Sequence, residues 1–183
     1  MVMWPSGYRQ SSAKALTLVR TQPRPQNVKP YVMTMYYKTV GGKKVNPISH
    51  TIEILRSDPY VEIHVGTDSQ NHGDKTHYAT VIAYRYGNRG VHYIFNLDKV
   101  DRINDMWTKL WGETERSIHI AEYLSENIKG VKVNINMDFN SDEMHDSNRL
   151  ISASRGWAQS LGYPVNVKPN DQIATRAADY QCR

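Results

Sequence analysis

Two aspartates follow segments in which apolar and polar residues alternate. Ile63 and Val65 alternate with Glu62 and His64, and Val131, Val133, Ile135 and Met137 alternate with Lys132, Asn134 and Asn136. Asp68 and Asp138 continue the polar parity of these two strand-like runs. If the runs are neighbouring parallel strands, the two carboxylates converge at one edge. Hard divalent cations such as Mg²⁺ are held by oxygen ligands of this kind. Two such ions about 4 Å apart activate a water and stabilise the leaving oxygen of a phosphodiester. The plain alternative is that each aspartate ends its strand and starts a turn.

A third carboxylate would come from a helix. Trp107, Leu110, Trp111, Thr114, Ile118, Ala121, Leu124 and Ile128 recur at helical spacing, and Gly130 closes the run. On a helical wheel Glu113 falls roughly 80° from the centre of the apolar stripe and Glu115 about 120° away. Glu113 shares its side with Leu110, Ile120 and Leu124, nearer the sheet, where an acid wants a metal or a base to neutralise it. A boundary glutamate reaching water is the alternative. Glu115 is expected in solvent, pairing weakly with Arg116 or Lys109.

Other side chains offer less. Asp138-Phe-Asn140-Ser-Asp142 imitates the start of a calcium loop, but Glu143 stands at its glycine and Arg149 at its terminal glutamate, so that reading fails. Asp142 and Asp146 read as turn and cap residues, or as outer-sphere metal contacts. His72, near His77, either moves a proton near Asp68 or is an exposed turn histidine. Lys168 can steady a phosphate. Trp107 and Trp111 fall on the core side of their helix and read as packing groups. Cys182 has no neighbouring base to activate it.

The elements that must position these residues follow from periodicity and turn chemistry. A short helix begins near Pro47, with Ile48, Ile52 and Leu55 in phase, and stops at Ser57-Asp58-Pro59. A strand from about Tyr60 ends at Gly66-Thr67-Asp68-Ser69. His77 to Tyr86 and Val91 to Leu97 form a hairpin across Gly87-Asn88-Arg89-Gly90. The long helix, the strand to Asp138, a helix from Asp146 or Ser147 to about Leu161, a strand over Tyr163 to Lys168 and a helix over Asn170 to Gln181 complete the order. The result, β-β-β-α-β-α-β-α, predicts an α/β fold: a mixed five-stranded sheet with helices packed on it. Sites in such folds gather at the carboxyl ends of parallel strands.

Charge is divided along the 183 residues. Residues 1–52 hold eight Lys or Arg and no acid, while residues 53–183 hold fifteen basic and eighteen acidic residues. The +5 net charge is thus +8 in the first part and −3 in the second. Residues 1–46 are expected to be a basic extension and residues 47–183 the domain. The arm can contact nucleic-acid phosphates, serve as a transit peptide, precede a start at Met33 or Met35, or be a tail with no single role. No run of about 18 apolar residues is present, so a membrane span is not expected. The single cysteine leaves no disulfide framework or cysteine-based zinc site and fits a cytoplasmic protein. There is no Gly-x-x-x-x-Gly-Lys motif, and the length does not supply the two domains of an actin-type nucleotide cleft.

Several motifs in order carry a resemblance. Ile63-His64-Val65-Gly66-Thr67-Asp68-Ser69-Gln70, Glu113-Thr114-Glu115-Arg116-Ser117, Asn136-Met137-Asp138-Phe139, Lys168-Pro169 and the Ala174 to Asp179 run resemble elements of the ribonuclease H-like YkuK family. The similarity spans about residues 48–183. It implies a ribonuclease H-like fold and a nuclease, a hydrolase of nucleic-acid phosphodiesters. It also implies a catalytic site in which Asp68, Glu113, Asp138 and Asp179 hold two Mg²⁺ or Mn²⁺ ions. Phe139-Asn-Ser-Asp-Glu143 departs from the glycine-rich turn expected there. On its own helix Asp179 points nearly opposite the apolar stripe of Ile173, Ala174, Ala177 and Ala178, so a surface pair with Arg176 or Arg183 is the competing role. A nucleic-acid-binding module of the same shape without turnover is the alternative function.

Overall fold

The computed structural model describes residues 36–138, 147–168 and 172–183. Its centre is an antiparallel meander of three long strands: β3 (Glu62–His72), β4 (Lys75–Arg85) and β5 (Val91–Asp101). β3 does not stop at Gly66-Thr67-Asp68-Ser69 as its pattern suggests. It runs on to His72 and turns at Gly73, whose φ of +56° suits a residue without a Cβ. The polar continuation stays extended because its side chains satisfy one another. Thr76 donates its hydroxyl proton to Asn71 Oδ1 (2.7 Å), and Asn71 donates its amide to the Ile103 carbonyl (3.1 Å).

Among the described residues the sheet has seven strands, not five: with β1 (Tyr37–Thr39), β2 (Lys44–Val45), β6 (Val133–Met137) and β7 (Val165–Val167) the order is β2-β1-β5-β4-β3-β6-β7. The two additional strands, β1 and β2, come from the stretch that reads as extension. Their reason for folding is Tyr37, which is wholly buried in the main core beside β5. Helix α1 (Pro47–Ser57) follows, with Asn46 Oδ1 accepting the Ile48 and Ser49 amides at 3.0 Å. Helix α2 (Met106–Asn127) is capped by Asp105, whose carboxylate accepts from Thr108 N at 2.7 Å. β6 (Val133–Met137), α3 (Ser147–Ser160), β7 (Val165–Val167) and α4 (Ile173–Cys182) complete the fold, with β6 parallel to both β3 and β7. Asp146, Phe139, Asn140, Asp142, Glu143 and Pro169 lie outside the described residues.

Helices cover both faces of the sheet. On one, α1, α2 and α3 pack over Ile63, Val65, Ile82, Tyr84, Ile94 and Ile135 through residues such as Ile54, Ile118, Leu124 and Ala158. On the other, α4 lies on a floor of small residues, Ala79, Val81 and Ala83, with Ala174, Ala178 and Cys182. Small side chains let this helix approach closely. A Cβ on Gly66 would stand 2.9 Å from Thr175 Cγ2 and 3.1 Å from the Asn136 carbonyl oxygen, so glycine is the residue that fits. Asn136 fixes the start of the helix by accepting the Ala174 amide at 3.0 Å. Among the described residues no helix is long and apolar enough to cross a membrane.

Candidate active site

The parallel pairing of β3 and β6 aligns the first two acids. Gly66 stands opposite Asn136. Two residues further along each chain bring Asp68 and Asp138 level, Asp68 within β3 and Asp138 just beyond the end of β6. The adjacency that the alternating patterns require is therefore present. Alternation then assigns the neighbours of Asp68. Ser69 faces α2, donating its hydroxyl proton to Glu113, and Gln70 faces α4, donating its amide to Asp179.

Glu113 is 7% exposed and accepts the Ser69 hydroxyl proton at 2.6 Å. Burial, reinforced by the Asp68 charge, pushes its carboxyl up to about 8. Asp68 is raised to about 6, mainly by burial and further by Asp179 and Asp138, against the opposing Ser69 backbone amide and Lys109. Asp138 also raises Glu113. The four sequence-identified carboxylates thus share one electrostatic neighbourhood. Within it burial and the neighbouring negative charges make Asp68 and Glu113 resist ionisation, the condition a bound divalent cation would relieve.

Each outer acid already has a basic partner. Asp138 Oδ1 lies 2.5 Å from Lys168 Nζ. Asp179 accepts from Gln70 Nε2 at 2.8 Å and from Arg183 at 2.6 Å. The surface pair expected for Asp179 forms, and Gln70 nevertheless ties the same carboxylate to β3. Among the described residues no three of His, Cys, Asp or Glu converge on a point that would ligate one ion. All four carboxylates supply oxygen donors, which suits Mg²⁺ or Mn²⁺. Closing them around ions requires Asp138 and Asp179 to turn from their basic partners.

Glu115 departs from expectation. It is 5% exposed, not solvated. The helical wheel assumes one covered face, whereas residues 111–118 of α2 are all buried. On this flank Arg116 lies 3.8 Å over the Tyr78 ring and pairs with Asp98 at 2.7 Å, and the Glu115 charge acts on the same Tyr78 hydroxyl. Lys109, read in the sequence only as a weak partner for Glu115, instead stabilises the charged forms of both Asp68 and Glu113. Its place four residues before Glu113, one helical turn away, is the signal that points to this role.

The remaining candidates take structural positions. His72 donates through Nε2 to the Cys182 carbonyl at 2.6 Å and stacks on His77. The Cys182 thiol, pushed up to about 12 by burial, donates to the Asp68 carbonyl at 3.1 Å and is not a nucleophile. Trp111 stacks on Trp157 with ring centroids 5.5 Å apart, as a packing residue. A groove of about 830 Å³, lined by Tyr60, Lys129, Lys132 and Tyr163, lies at the amino ends of β3 and β6, away from the acids.

A family model described as ribonuclease H-like matches residues 44–183. No curated protein matches the chain.

Proposed function

The chain belongs to the ribonuclease H-like family, and from that premise we propose that it is a nuclease using two Mg²⁺ or Mn²⁺ ions to hydrolyse nucleic-acid phosphodiester bonds. The observation that carries this reading is that Asp68 and Asp138 each stand two residues past the Gly66–Asn136 pair of the parallel neighbours β3 and β6, with Glu113 buried in the same electrostatic neighbourhood. The Gly66-Thr67-Asp68-Ser69-Gln70 and Glu113-Thr114-Glu115-Arg116-Ser117 motifs support the YkuK branch of the family.

Asp68 and Asp138 would contribute to both ions, Glu113 to one and Asp179 to the other. When bound, the ions supply the activated water and offset the charge that builds on the phosphoryl oxygens. The chain's own part is positional. Ser69 orients Glu113, Gln70 orients Asp179, and Lys109 favours ionisation of the two buried acids. Lys168, which pairs with Asp138, would be freed by a bound ion to steady a substrate phosphate. The eight basic residues among 1–52 offset the acidic balance of the rest in holding a polyanion.

A labelled panel of single strands, duplexes, an RNA–DNA hybrid and a four-way junction tests this reading with Mg²⁺, Mn²⁺ or chelator. Cleavage that requires metal and disappears in Asp68→Asn is the expected result, and equal cleavage by the variant would refute the site. The ion pairs at Asp138 and Asp179 favour one second reading, a nucleic-acid-binding module whose acids stay neutralised by Lys168 and Arg183. Tight binding without cleavage of any substrate would select it.

A further inference from the structure

At the other end of the sheet two histidines from different elements meet. His50 lies on α1 and His92 near the start of β5, and their Nε2 atoms share a 2.9 Å hydrogen bond in which one ring donates and the other accepts, the proton between them standing where a cation would lie once both rings carry their hydrogen on Nδ1. We propose that His50 and His92 form a second metal site, one that takes a divalent transition ion of the Cu²⁺, Ni²⁺ or Zn²⁺ class.

The spacing carries the argument. With metal–nitrogen bonds of about 2.0–2.1 Å, two nitrogens at 90° around one ion are about 2.9 Å apart, and at the tetrahedral angle about 3.3 Å. The observed 2.9 Å therefore matches adjacent positions of a square-planar or octahedral ion, and a few tenths of an ångström opens it to tetrahedral geometry.

The pair is also braced. Tyr84, wholly buried, stacks on His92 with an interplanar angle of 17° and meets His50 edge-on at 65°. Tyr84 is in turn held by Thr51 Oγ1 at 2.7 Å from its hydroxyl. Both rings are only part-buried, which leaves the remaining coordination positions to water. Glu53 is one turn beyond His50 on α1, and its charge favours a cation at that ring, whereas the Lys43 charge opposes one. Burial lowers both histidines, so the neutral imidazoles a metal requires prevail at pH 7.

This site is independent of the carboxylates. His92 pairs with Tyr84, and Tyr84 with Ile63, five residues before Asp68 on β3, which is roughly 17 Å along the strand. A bound ion would pin α1 to β5.

The test is calorimetric titration of the full chain with NiCl₂ and CuCl₂, in excess MgCl₂, for wild type, His50→Gln, His92→Gln and Asp68→Asn. Loss of a ligand should weaken Ni²⁺ binding by at least the ~10–100-fold that removal of an outer-shell partner costs. Asp68→Asn should bind as wild type does. Electron paramagnetic resonance of the Cu²⁺-loaded wild type should show coupling to two imidazole nitrogens, a readout that does not depend on a variant folding. Binding unchanged in both histidine variants, binding lost in Asp68→Asn, a Cu²⁺ spectrum without two nitrogens, or no binding at all would each overturn the proposal.

Discussion

Replacing Glu113 with glutamine should stabilise the metal-free protein at alkaline pH. Burial and the Asp68 charge hold the Glu113 carboxyl near 8, against an ordinary value of 4.5. Between those values the folded chain keeps a proton that the unfolded chain has released. Unfolding stability must therefore fall as pH rises through that window. Each pKa unit is worth about 1.4 kcal/mol, so the whole shift sets a ceiling of ~5 kcal/mol. Relaxation of the site and its coupling to Asp68 reduce this, and about 2–4 kcal/mol is the expected loss, a large share of the ~5–15 kcal/mol typical of a domain. Glutamine has nearly the same shape, still accepts the Ser69 hydroxyl proton and carries no charge. Urea unfolding in chelator at pH 5, 7 and 9 reads the difference. The wild-type midpoint should fall steeply over this range and the Glu113→Gln midpoint much less. Parallel pH dependences would refute the argument, because Glu113 would then ionise as readily folded as unfolded.

Three further outcomes follow from the same geometry. Mn²⁺ should raise the melting temperature more at pH 8.5 than at pH 5.5, since Asp68 and Glu113 must lose protons to bind it; at one hundred times Kd the gain is ~2.7 kcal/mol, and thermal scans of wild type and Asp68→Asn measure it. Lys109→Met should shift the acid limb of the pH–activity profile to higher pH, with Lys109→Arg restoring it, because Lys109 favours the ionised forms of both buried acids. Gly66→Ala should cost about 1–3 kcal/mol by denaturant titration, as the new methyl meets Thr175 Cγ2 at 2.9 Å and two backbone atoms, Thr175 N and Asn136 O, at 3.1 Å.

The sequence made much of this architecture readable because its long elements have strong periods. Met106–Asn127 and the β4–β5 hairpin formed nearly where their apolar patterns place them. Short elements carry no period. Tyr37–Thr39 and Lys44–Val45 fold by pairing with a neighbour and burying one tyrosine, which three residues cannot announce. The second half of β3 was obscured for the opposite reason: Thr67 to His72 are polar, and their extended state depends on partners in β4 and beyond. Within the site, Asp68 and Asp138 were placed by alternation, since strand parity survives whatever packs around it. The helical wheel puts Glu115 in solvent because it does not register how many neighbours surround a helix, and here Glu115 is buried.

The repulsion stored among the acids raises the question of why β3 is not displaced. The answer lies in what holds that strand on every side. It is hydrogen-bonded to β4 along its whole length and to β6 on its other edge. Ser117 on α2 donates to Thr67 Oγ1 at 3.0 Å, and Thr67 donates onward to Thr80 at 3.2 Å, so the residue before Asp68 is bound to both a helix and a strand. Thr114, next to Glu113, donates to Ser154 at 3.0 Å and links α2 to α3. From the opposite face Cys182 reaches the Asp68 carbonyl itself. These bonds oppose movement of the backbone, while Asp138 and Asp179 sit on partners that side-chain rotation can exchange. Relief of the charge is thus easier by taking up protons or cations than by deforming the sheet. A hydrogen-bonded frame around an unrelieved acidic pair is what would couple cation binding to stability under the proposed function, and removing the frame at Thr67 should weaken that coupling before it unfolds the domain.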